Sequence, residues 1–214
     1  MRMFKQLLIV LVGVAILILH GCGQSPVASG HETDAIDIYE EPFQENTGDV
    51  EPFQIQTSDG TFTVTPVAYY EIAALVVGKE SYSRGWQGEL APVDLALIWG
   101  DLAKWEVRKH LTFKQRSRWY FYRYGPGFPY DNNFISRRSA NNHIIPATDN
   151  IRRALKSIKE EDRILIEGYL VRLKGQSDGR EYWWNSSTSR TDTGNGSCEL
   201  IYAQKLRIND KVYL

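Results

Sequence analysis

Residues 67–77, Val-Ala-Tyr-Tyr-Glu-Ile-Ala-Ala-Leu-Val-Val, form a nearly unbroken run of apolar and β-forming side chains. A strand with one wet face alternates apolar and polar residues, so a run this continuous has to be covered on both faces. That demand points to a small barrel or a sandwich. Other segments supply strands to meet it. Thr61–Thr65 alternates as a strand that Pro66 is expected to stop, and Trp119–Tyr124 is an aromatic strand broken by the Gly/Pro-rich residues after it. Helices are expected at Leu95–Trp99 with Asp94 as cap and at Leu102–Leu111 with Asp101 as cap. A further helix starts at Thr148 or Asp149 and runs to Ile158, with Ile151, Leu155 and Ile158 on one face. The expected class is α+β: mainly antiparallel β, with two or three short helices.

The last third is the most explicit. Arg163–Leu173 places Ile164 and Ile166 on one face and then reaches Gly168. A bulge at Gly168 would move the inward set to Tyr169, Val171 and Leu173 and leave Arg172 in water. Ser177-Asp178-Gly179 reads as a hairpin turn into Tyr182-Trp183-Trp184, and a polar loop, Ser186–Ser197, leads to a returning strand at Cys198–Leu206. A helix feeding a bulged strand, a hairpin and a returning strand resembles part of a small Greek-key barrel of the OB type, carried by the segment Glu-Glu-Asp-Arg-Ile-Leu-Ile-Glu-Gly-Tyr-Leu-Val at 160–171.

The N-terminus carries an address. Arg2 and Lys5 precede an apolar stretch, Leu7–Leu19, followed by His20-Gly21-Cys22. The stretch is shorter than the about 20 residues of a membrane-spanning helix. A charged start, short apolar core and small residue form a secretory signal. With a cysteine at the cut, Leu19-His20-Gly21-Cys22 resembles the lipobox of bacterial lipoproteins, although His20 stands where that pattern usually has a small or β-branched residue. The resemblance implies a signal peptide at 1–21 and acylation of Cys22. The protein would then reside in the cell envelope, at the outer membrane facing the periplasm, because no aspartate follows Cys22. The alternative is an uncleaved inner-membrane signal anchor. Membrane contact through Cys22 is the one partner this implies directly.

From Gly23 to Gly78 there is no Lys or Arg, while acidic residues run from Glu32 to Asp59. Residues 22–60 therefore read as a lipid-anchored acidic, disordered tether of up to about 130 Å, with a single globular domain at 61–214. The whole chain carries a net charge of −1, but residues 60–214 hold 23 Lys or Arg against 17 Asp or Glu. A basic domain suits an anionic partner, and envelope location argues against nucleic acid.

Chemistry is sparsely marked. Ser139-Ala-Asn-Asn-His143 offers His143 as a general base with Ser139 nearby, vaguely resembling serine–lysine peptidases but lacking their Ser-Met motif. The loop Asn185–Ser197 offers Arg190, Asp192 and glycines to grip a sugar or an anion. Trp183 and Trp184, adjacent on a strand, must face opposite ways, which leaves one for solvent or a second layer. Candidate binding residues are Arg190, Asp192, Asn142, His143, Trp183 and Trp184. No metal site and no cofactor motif is present in the sequence, and with Cys22 acylated Cys198 has no disulfide partner. The reading is a non-catalytic binding or assembly module for an envelope protein or anionic glycan. The alternative is an envelope hydrolase using His143 with Ser139 or Asp192.

Overall fold

The computed structural model describes residues 24–189, 192, 194 and 196–214; the signal segment, Cys22 and Arg190 lie outside the described residues. In chain order the strands are β1 (Gly30–His31), β2 (Phe43–Glu45), β3 (Phe53–Thr57), β4 (Gly60–Ser81), β5 (Val93–Ile98), β6 (Leu111–Arg116), β7 (Trp119–Tyr124), β8 (Ser139–Pro146), β9 (Arg163–Ser177), β10 (Arg180–Asn185), β11 (Glu199–Ile208) and β12 (Lys211–Tyr213). The helices among the described residues are short: α1 (Gly85–Leu90), α2 (Trp105–Arg108), α3 (Asn132–Ser136) and α4 (Asp149–Ser157), with a 3-10 turn at Gly100–Ala103. The protein is α+β and mainly antiparallel β, as the patterning predicts.

Strands β4, β5, β8, β11 and β9 pair in that order, and β9 pairs back onto β4 to close a ring. Every pair in the ring is antiparallel except β8–β11, which is parallel with Asn142 opposite Glu199. The ring draws on strands from the middle of the chain and is not confined to the last third. Closure explains residues 67–77: Tyr70, Ile72, Ala74 and Val76 point into the barrel with Val93, Leu95 and Leu97 of β5 and Ile201 and Ala203 of β11. Alternate residues Ala73, Leu75 and Val77 pack outside, against Ile98, Leu102 and Ile135. Helix α4 adds Ile151, Ala154 and Leu155 to the barrel core, and the Thr148 side chain caps it by accepting from Ile151 N.

Four local expectations fail for tertiary reasons. Pro66 does not stop the strand: β4 continues through it, with a register shift between Pro66 and Ala68 that spares a ladder bond. Gly168 makes no bulge and remains paired with both Tyr70 and Ala203. A Cβ there would sit 2.0 Å from the Tyr202 carbonyl oxygen, so the close approach of β11 requires glycine. Tyr169, Val171 and Leu173 instead cover the other face of β9, packing with Phe62, Val64, Leu90 and Leu200 in a second cluster, while Arg172 is exposed. Finally, Leu95–Ile98 is strand and not helix, because β5 lies between β4 and β8. The helix expected at Leu102–Leu111 is likewise only the end of the 3-10 turn and the four-residue α2, and Leu111 begins β6.

Residues 24–57 are not a disordered tether. β1 adds to β12, and β2 and β3 pair with β4. Ile36 and Ile38 are buried with Leu75, Ile98 and Leu102. Two of its acidic side chains, Glu32 and Asp34, find cations: the almost fully buried Arg207 guanidinium donates to Glu32 Oε2 at 2.7 Å, lies 3.4 Å from Asp34 Oδ1 and donates to the Asp34 carbonyl. Lys205 Nζ lies 3.6 Å from Glu32 Oε1. The segment is a strap on the domain, held by ion pairs that composition read in isolation does not reveal.

Candidate functional site

The outer faces of β5 and β8 carry Asp94, Ser139, Asn141 and His143, all buried. Polar residues on an outer barrel face are ordinarily wet. Here the β6–β7 hairpin contacts β8, and Trp184 of β10 and Cys198 beside β11 reach the same residues.

Asp94 is the centre of the buried polar set, at 0 % exposure. Its Oδ1 accepts from Arg118 Nη1 at 2.6 Å and lies 2.9 Å from His143 Nδ1. Arg118 comes from the β6–β7 turn. Its guanidinium stacks 3.6 Å from the Tyr82 ring centre, and Nη1 also donates to the Ala91 carbonyl. The Tyr82 hydroxyl accepts from Arg118 N and donates to Glu80; burial and then the Asp94 charge raise its pKa well above the usual phenol value. The His143 ring packs 4.8 Å from the Trp184 ring. Asn141 extends the set, accepting from Gln115 Nε2 and donating to the Arg118 carbonyl. A buried charge persists only when paired and hydrogen-bonded, and Arg118 supplies both to Asp94 Oδ1 while joining hairpin to barrel; Asp94 Oδ2 and His143 Nδ1 make no hydrogen bond among the described residues.

Beside this brace a cleft of about 170 Å³ opens, with walls that include Trp99, Trp119, Tyr120, Tyr122, Cys198 and Glu199. Ser139, Ser197 and Asp192 add polar atoms to it. Burial pushes the Tyr120 hydroxyl up to about 12 and the Cys198 thiol up to about 11, so both are neutral at neutral pH. A thiol in that state is a poor nucleophile. The cleft is smaller than the about 300–1,000 Å³ of typical small-molecule pockets and matches a single ring or terminal group.

The structure separates the predicted site residues. Ser139 and His143 share a face of β8 but stand four residues apart, about 13 Å at strand rise. Ser139 Oγ donates to the Ile135 carbonyl and lies 3.1 Å from the Tyr120 hydroxyl. Asp192 accepts from Ser187 Oγ at 2.7 Å and lines the cleft, whereas His143 faces Asp94. The pairing of His143 with Ser139 or Asp192 is therefore corrected: the carboxylate that His143 meets is Asp94. Asn142 points the other way from His143, donating to the Leu95 and Ala140 carbonyls. Trp183 is 70 % exposed, while Trp184 packs against His143 and Trp86, so the adjacent pair does face two ways. The five described candidate binding residues do not form one surface, and Arg190 lies outside the described residues.

No motif in the sequence marks Asp94, Arg118, Trp99, Glu199 or the hairpin tyrosines as site residues. One signal was available: Lys114-Gln-Arg and Trp119-Tyr-Phe-Tyr-Arg alternate on either side of a two-residue connection, the pattern of a hairpin. Among the described residues no group of three or more His, Cys, Asp or Glu is placed to hold a metal ion, and no helix is long and apolar enough to cross a membrane. No protein-family model, curated protein or solved structure matches the chain.

Proposed function

We propose that this chain is a lipid-anchored envelope protein, acylated at Cys22, that acts as a non-catalytic binding module for an envelope glycan or a glycan-bearing envelope protein. The observation that carries the reading is the cleft, in which four aromatic side chains meet hydroxyls and carboxylates at a rigidly braced barrel. Aromatic faces stack on sugar rings while hydroxyls and carboxylates take the sugar hydroxyls. The five-strand ring, with a helix between its third and fourth strands in chain order, supports reading the domain as an OB-type barrel. The burial of His143 and its distance from Ser139 weigh against the hydrolase alternative.

The test is titration of the protein with envelope oligosaccharides, including peptidoglycan fragments, followed by tryptophan fluorescence. Saturable binding is expected, weakened about tenfold in Trp119→Ala, the equivalent of about 1.4 kcal/mol, and unchanged in Trp183→Ala. Binding that is absent, or equally strong in Trp119→Ala, rejects the cleft as the site.

A further inference from the structure

We propose that the outer face of the β6–β7 hairpin docks on an anionic lipid surface. The hairpin is its own two-stranded sheet, and its two faces differ sharply. Phe113, Gln115, Tyr120 and Tyr122 point toward the barrel. On the other face the register sets Arg116 opposite Trp119, Lys114 opposite Phe121, and Thr112 opposite Arg123. Trp119, which also edges the cleft, is 41 % exposed and Phe121 55 %, and neither strand nor the turn contains an acidic residue. Three cations interleaved with two exposed rings is the composition that places rings at headgroup level and ammonium or guanidinium groups on phosphates.

The other exposed sheet face with a tryptophan, on β9 and β10, mixes Arg172, Lys174 and Trp183 with Glu181, so the hairpin is the better complement to a negative surface. An anchor would bring lipid within reach of the domain, a step that rests on the proposed acylation of Cys22. The backbone N–H of Val27 is already held by the Asn150 side chain. Five residues from Cys22 to Val27 allow at most about 18 Å, so the strap leaves the folded domain against the bilayer rather than on a long leash. Nucleic acid fits less well, because its single strands are bound in grooves that track the backbone, and these rings stand on an open ribbon.

The experiment uses the full acylated chain carrying Phe121→Cys labelled with an environment-sensitive fluorophore. It is reconstituted in phosphatidylcholine vesicles with or without phosphatidylglycerol. The emission is expected to shift to the blue only with phosphatidylglycerol, to revert at high salt, and to be lost when Lys114→Glu, Arg116→Glu and Arg123→Glu are combined. An identical spectrum on both vesicles overturns the proposal, as does a shift that survives the triple change. A shift with single-stranded oligonucleotide but none with anionic vesicles also overturns it, in favour of a nucleic-acid surface. Failure of the anchor is read separately, as a chain that does not float with neutral vesicles. Its hairpin is then scored by whether the label shifts on added anionic vesicles.

Discussion

Ser117 and Arg118 form the β6–β7 turn with φ of 53° and 71°, a left-handed pair that Asn-Gly adopts at least cost. A non-glycine pair there is disfavoured locally, and the compensation is distant. Arg118 reaches Asp94, 24 residues earlier in the chain, at 2.6 Å, and its backbone N–H is held by Tyr82. Removing one partner of a buried ion pair leaves the other charge desolvated and alone. Arg118→Ala is therefore expected to lower stability by about 3–5 kcal/mol in urea unfolding. Combining Ser117→Asn with Arg118→Gly improves the turn itself yet should still destabilise. A double variant as stable as the parent would show that the turn and not the ion pair fixes the hairpin. Nothing within a few residues of Asp94 announces this partner, and in the sequence Asp94 has the position of a helix cap.

At the scale of elements, β5 shows how a local signal is outvoted. Asp followed by Leu-Ala-Leu-Ile is compatible with a capped helical turn, but the flanking strands β4 and β8 offer Val93–Ile98 a full ladder on each side. The N-terminal strap shows the converse. Its acidic, proline-containing composition lacks enough apolar surface to fold alone, and it does not fold alone: Ile36 and Ile38 enter a core built by other elements. Ile38→Ala is expected to cost about 2–4 kcal/mol in thermal or denaturant unfolding. A tether would show no change, so a loss under about 0.5 kcal/mol would detach the strap from the domain. Helix α4 and the β9–β10 hairpin were legible because their signals are local: Thr148 with its Oγ1 on Ile151 N, and Asp178-Gly179 with φ of 50° and 70°.

For the whole molecule, the acidic strap and the basic domain are two halves of one electrostatic arrangement, joined where Arg207 and Lys205 meet Glu32. If Cys22 is acylated as proposed, this arrangement leaves a few residues and not a long leash between lipid and domain. Radiolabelled palmitate is expected to enter the parent chain and not Cys22→Ala; no label in the parent would favour the signal-anchor alternative. By itself the sequence determined the β-rich class, the buried strand at 67–77, the capped helix and the β9–β10 hairpin. Each of these is written in residues two to four apart, the range over which strand alternation, helix periodicity and turn chemistry act. Only the tertiary structure decided the ring closure, the strap, the Asp94–Arg118–His143 brace and the aromatic cleft. Those depend on side chains far apart in the chain, Asp94 24 residues from Arg118, Asn141 57 from Cys198 and Glu32 175 from Arg207, and they meet only once the barrel has closed and the hairpin has folded over it.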